Sequence, residues 1–170
     1  MTAPPDVAAL AATIRATLPL ENEWHIFNDM PAPYPGPPVV DGAPRSYLEF
    51  LAAADGFVCG PVVMFNARLV PTIQFLAGSP EGVPVQIDRT EWFCAGVVND
   101  EPWFIRRSDE SVWHFPDTGV IYWMSDRFEQ VAPSLERFFL DVVCGPGYVI
   151  LTGAVEHGHW WEVLSYLGRV

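Results

Sequence analysis

Residues 92–123 decide the fold. Trp92-Phe93-Cys94-Ala95-Gly96-Val97-Val98 leads into Asn99-Asp100-Glu101-Pro102. Trp103-Phe104-Ile105-Arg106-Arg107 leads into Ser108-Asp109-Glu110-Ser111. Val112-Trp113-His114-Phe115 leads into Pro116-Asp117-Thr118-Gly119 and then Val120-Ile121-Tyr122-Trp123. Short runs rich in aromatic and β-branched residues, bounded by Asn, Asp, Ser, Gly and Pro, read as strands joined by turns. Connections this short join antiparallel neighbours. The expectation is a meander of Trp92–Val98, Trp103–Arg107, Val112–Phe115 and Val120–Trp123. Trp92 and Cys94 oppose Phe93, and Trp103 and Ile105 oppose Phe104, so both sheet faces carry large apolar groups. One face packs helices. The other is either covered by the proline-rich segment and the tail, or left as a binding surface.

Upstream, Val62–Phe65, Thr72–Leu76 and Val85–Asp88 read as further strands. Before them, Pro44 opens a helix with Tyr47, Leu48, Leu51 and Ala54 on one stripe, stopped at Asp55-Gly56. Asp6 caps a first helix whose face holds Val7, Leu10, Ala11, Ile14 and Leu18, ended by Pro19. Six prolines between Met30 and Pro44 (Pro31, Pro33, Pro35, Pro37, Pro38, Pro44) make an extended strap rather than a helix. Downstream, a helix from about Pro133 to Val143 buries Leu135, Phe138, Phe139 and Val142. The tail offers a short strand, Tyr148–Leu151, and a last helix at Trp160–Leu164. This order predicts an α+β fold, an antiparallel β-meander packed against helices. The 170 residues suit a single domain, 1–170. Its parts are residues 1–43 (helix and strap), 44–144 (core) and 145–170 (C-terminal tail).

Composition narrows the function. Half the residues are hydrophobic and 18% are charged, which excludes intrinsic disorder. The net charge is −12, and all nine basic residues are Arg. Such a surface repels phosphate backbones and anionic membranes, so neither nucleic acid nor membrane is expected as a partner. A basic protein would be attracted. Cys59, Cys94 and Cys144 are widely spaced, and Cys94 and Cys144 sit in apolar runs, as buried free thiols do. No signal-peptide pattern opens the chain and no apolar run reaches the roughly 20 residues of a membrane helix, so a cytoplasmic location is expected.

Catalytic chemistry finds little support. A Gly-x-Ser-x-Gly elbow is missing, and Gly56-Phe57-Val58-Cys59-Gly60-Pro61 lacks the Lys of a phosphate loop. Glu156, His157 and His159 form the nearest approach to a metal-ligand set, and a small metal-dependent hydrolase built on them is one alternative. No catalytic residue, cofactor or metal is assigned.

The chain resembles a known group. Ala43-Pro44-Arg45-Ser46-Tyr47-Leu48-Glu49-Phe50-Leu51 with Asp55-Gly56 looks like the early helix of the SUKH superfamily (Smi/Knr-like). Trp92 to Gly96, Pro102-Trp103-Phe104-Ile105 and Val112-Trp113-His114-Phe115 resemble its strands. Ser134-Leu135-Glu136-Arg137-Phe138-Phe139-Leu140 resembles its closing helix. The likeness spans residues 43–140. Asp55-Gly56-Phe57 stands where that group has Asn-Gly-Gly, and Ala43 where it has Leu. The superfamily holds many bacterial immunity proteins and related fungal cell-wall regulators, and it brings no catalytic motif. The resemblance implies a non-enzymatic protein-binding module, an immunity protein that neutralises a nuclease or deaminase toxin by direct binding. A regulatory or scaffold protein with another partner, recruited through Pro31–Pro38, is the competing reading.

Alternate turns of a meander fall at opposite ends of the strands. Asp100 and Glu101 should therefore share one end with Asp117, with Asp109 and Glu110 at the other. Flanked by Trp103 and Trp123, Asp100, Glu101 and Asp117 are the expected rim of the partner site.

Overall fold

A computed structural model describes residues 1–36, 40–153 and 158–170. Pro37, Pro38, Glu156 and His157, singled out above, lie outside the described residues. Among the described residues, seven strands form one open antiparallel sheet in strict sequence order. They are β1 (Asn28–Asp29), β2 (Phe57–Cys59), β3 (Val62–Met64), β4 (Trp92–Val98), β5 (Glu101–Arg106), β6 (Val112–His114) and β7 (Glu129–Ala132). The α+β meander read from the sequence is thus present, although its membership differs at both edges.

The centre of the sheet shows how sequence sets register. Asn99 and Asp100 adopt left-handed φ of 50° and 66° and close a two-residue hairpin between β4 and β5. Such turns match strand twist, and Asn and Asp tolerate the conformation. A bulge between Cys94 and Gly96 shifts the β4–β5 pairing. Gln74 satisfies the backbone there: its Nε2 donates to the Cys94 carbonyl at 2.8 Å and its Oε1 accepts from the Cys94 amide at 3.1 Å.

Helices cover one face: α1 (Pro5–Thr17), α2 (Trp24–Phe27), α3 (Arg45–Leu51), α4 (Leu135–Arg137), α5 (Gly147–Thr152) and α6 (His159–Tyr166). Pro44 precedes α3 and Gly56 takes φ 81°, as the turn after it requires. Ser134 caps α4 by accepting the Arg137 amide at 3.2 Å. Beyond α4 the chain winds as a π-helix over Phe138–Val143, and the Cys144 amide reaches back to the Phe139 carbonyl. The wider turn lets Phe138, Phe139, Leu140 and Val143 all be buried. They join Val7, Ile14, Tyr47, Phe50, Phe57, Phe93, Trp103 and Ile105 in the main core.

The opposite face is not bare, and none of the described strap or tail residues belongs to its cover. A second core of Ala77, Ile87, Trp92, Cys94, Phe104 and Phe115 is roofed by residues of the 65–87 segment, together with Tyr122 and Phe128. Phe128 is its hub, with ring centroids 4.8 Å from Trp92 and 4.6 Å from Phe115. That roof corrects two expected strands. Thr72–Leu76 belongs to a 3-10 helix, Val70–Ala77, begun by Pro71. Val85–Asp88 is a loop held by Ser79, whose Oγ accepts the Ile87 amide at 2.8 Å.

Two further runs also change state. Val120–Trp123 is no strand: its end forms a 3-10 turn, Tyr122–Met124, with Tyr122 packed on Phe115 at 5.6 Å. The strand beside β6 is the polar run Glu129–Ala132 instead. Tyr148–Leu151 is helical, within α5, because Tyr148, Leu151 and Thr152 at i, i+3 and i+4 bury one face. Gly153, at φ 64°, ends it.

The described part of the strap is built into the fold. Arg15 of α1 donates to the carbonyls of Met30 (2.9 Å), Pro31 (2.6 Å) and Ala53 (2.8 Å). The Tyr34 amide donates to Leu51 and the Ala32 carbonyl accepts from the Asp55 amide. Arg169 likewise spans the carbonyls of Cys144 and Leu140. No described helix is long and apolar enough to cross a membrane.

Candidate functional site

The hairpin tip at Asn99-Asp100 and the connection leaving β6 lie at the same end of the sheet. Asp100 and Asp117 are exposed there, and Glu101 is half-buried. Asn99, Glu101 and Asp117 line one small hollow of about 100 Å³ with Val98, His114 and Leu151. The Glu101 carboxylate accepts the Tyr122 amide at 3.3 Å, tying the 3-10 turn to the hairpin. Asp117 accepts the Gly119 amide at 2.9 Å. The Asn99 amide side chain donates to the Thr152 carbonyl at 2.9 Å, fixing the end of α5 against the same tip.

The electrostatics follow from that crowding. Burial raises the Glu101 carboxyl above its ordinary value, and the Asp117 and Asp100 charges push it further, against the Tyr122 amide bond. Burial lowers the His114 imidazole, with Arg127 adding to the effect and Glu129 opposing it. His114 is therefore neutral at pH 7.

Beside these carboxylates the 120–124 loop holds apolar side chains in water. Val120 is 47% exposed, Ile121 43%, Trp123 42% and Met124 63%. Only Tyr122 of that loop turns into the second core. Large side chains held out beside a charged rim are a mark of interaction surfaces.

Of the residues expected at the rim, the fold gathers Asp100, Glu101 and Asp117 and leaves Trp123 exposed. Trp103 is a correction: it is fully buried in the main core, with its indole N–H donating to the Val63 carbonyl at 3.0 Å, and it lines no surface. Sequence reasoning missed Ile121, which falls in the expected strand Val120–Trp123, and Met124, which lies just beyond it; both are exposed. Asp109 and Glu110 lie apart from the rim and serve the fold. Asp109 accepts the Ser111 amide at 3.0 Å and hydroxyl at 2.6 Å. Glu110 accepts the Arg45 and Ser46 amides at the start of α3.

A larger cleft of about 590 Å³ opens next to the hollow, between the β6–β7 end of the sheet and α5. Its walls include His114, Asp117, Glu129, Val131, Ile150 and Leu151. Arg127 lines it too, and its Nε donates to Glu129 at 2.9 Å.

The metal-ligand set named from the sequence gains nothing from the described part. His159 stacks on Phe27 at 4.7 Å and sits 3.5 Å from Glu162 and 3.7 Å from Glu23. Among the described residues no group of three or more His, Cys, Asp or Glu could hold a metal ion. All three cysteines are free and buried, and burial raises each thiol, Cys94 to about 12. Comparison with protein-family models, curated proteins and solved structures finds no match to this chain.

Proposed function

We propose that the chain is a non-enzymatic, cytoplasmic protein-binding module that docks a basic protein at the Asp100–Glu101–Asp117 end, as an immunity protein covers a toxin domain. One observation carries this reading: three carboxylates and the exposed loop Val120–Met124 share one end of the sheet. Carboxylates there steer a cationic partner, and the apolar loop supplies the area to be buried once contact is made. The net charge of −12 extends the same field over the molecule. The resemblance of residues 43–140 to the SUKH superfamily adds the toxin-neutralising role.

The test is co-expression with a basic toxin domain encoded in an adjacent reading frame. A complex on size exclusion and restored growth are expected. Neutralising Asp100→Asn, Glu101→Gln and Asp117→Asn together should slow association about tenfold at low salt. Asn is chosen for Asp100 because that residue sits at φ 66°. The exposed carboxylates Asp6, Asp41 and Glu81, changed to amides together, form the control. Equal slowing by the control set would show that only net charge matters. No complex at all would remove the toxin pairing.

A further inference from the structure

We propose that the cleft between β7 and α5 receives an arginine-bearing segment of the basic partner, with the guanidinium seated in the hollow between Glu101 and Asp117. This inference rests on the protein-binding reading above and deepens it. The two spaces share His114, Asp117 and Leu151, so the small hollow adjoins the large cleft. About 590 Å³ falls within the range of sites that enclose a small ligand or a short peptide stretch. About 100 Å³ has the scale of one side-chain head rather than of a chain.

The chemistry of the walls chooses the head. Val98, Phe115 and Leu151 suit a methylene stem, and Glu101 and Asp117 suit its charged end. Charged residues around both spaces are Glu101, Asp117 and Glu129 against Arg127. Arg127 is already bonded to Glu129, so Glu101 and Asp117 are left without a cation from the lining. His114 is neutral and offers no competing charge. A planar guanidinium can bridge two carboxylates through separate N–H donors, which an ammonium does less well. Ile150, 87% exposed on the outer lip of α5, gives the flanking part of the segment an aliphatic contact.

The probe is acetyl-Leu-Arg-Leu-amide, titrated into the 15N-labelled full chain, with the uncharged citrulline analogue alongside. The Arg peptide should move the amide resonances of Asn99, Glu101, His114 and Leu151. The citrulline peptide should bind at least about tenfold more weakly. The double variant Glu101→Gln, Asp117→Asn should weaken the Arg peptide by a similar factor, with its melting temperature recorded as a check on folding. Equal affinity for the two peptides would overturn the inference. So would the absence of any shift up to about 10 mM peptide, well past the weak end of specific binding. Shifts confined to Val120–Met124 would also overturn it, while leaving the docking reading intact. A failed complex with the toxin domain despite a filled hollow would do the reverse.

Discussion

Replacing Gly96 by Ala tests how the sheet centre is built. A Cβ on Gly96 would fall 1.9 Å from the Val63 carbonyl oxygen and 2.4 Å from the Trp103 indole nitrogen. Both are among the least movable atoms nearby, since Trp103 is fully buried and its N–H donates to that carbonyl. The methyl must push the indole out, separate the strands or do both. Overpacking a tight core costs about 1–3 kcal/mol. Stranding a buried donor or acceptor costs about 1–3 kcal/mol more. The expected loss is about 2–6 kcal/mol, a large part of the roughly 5–15 kcal/mol that holds a domain together. For a chain of this length it lowers Tm by about 4–24 °C. Urea unfolding followed by tryptophan fluorescence, with calorimetry alongside, measures it. A loss under about 1 kcal/mol, with the Trp103 emission unmoved, would refute the claim that Gly96 makes room for this indole.

Two pH-dependent outcomes also follow from the acidic end. Glu101 has a folded-state pKa above its free value, so its ionised form opposes folding, and stability is lost as pH rises through that pKa. Glu101→Gln keeps an acceptor for the Tyr122 amide and should raise Tm at pH 7 but not at about pH 3, where both forms are uncharged. A difference that does not vary with pH would count against this. His114 has a lowered folded-state pKa, so its contribution is full above about pH 6.5 and lost as pH falls. His114→Gln should flatten the loss of Tm between about pH 7 and pH 5; a slope equal to that of the parent chain would contradict the assignment.

The sequence was most legible where local pattern and tertiary need agreed. Trp92–Val98 and its hairpin to β5 could be read because a continuous apolar run, the turn chemistry at its end and burial on both faces coincide. So could the start of α3 at Pro44 and the last helix around Trp160. Legibility failed where tertiary context overrode propensity. Tyr148-Val149-Ile150-Leu151 has strand composition, yet the run is a helix that buries Tyr148 and Leu151 on one face and leaves Ile150 in water. Glu129–Ala132 has no alternating apolar signal, and it pairs because its neighbour β6 needs a partner. At the site, the shared end of Asp100, Glu101 and Asp117 followed from meander parity alone. The exposure of Met124 and the burial of Trp103 did not: the first depends on which way the 120–124 loop turns, the second on Phe138 packing over the indole in the main core.

The arginine clamps have a practical consequence for chemical mapping. Arg15 and Arg169 hold backbone carbonyls with several N–H groups at once, a task the single ammonium of Lys performs poorly. Every cationic side chain in these 170 residues is Arg, so no side chain carries a primary amine. Acetylation or ubiquitin transfer to lysine has no substrate here, and amine-reactive labels find only the backbone terminus. In a carbodiimide reaction with a lysine-bearing partner, every side-chain link must therefore join a carboxylate of this chain to an amine of the other. The cross-link pattern then has one direction, and peptides carrying Asp100, Glu101 or Asp117 would read out the docking face without ambiguity over which molecule supplied the acid.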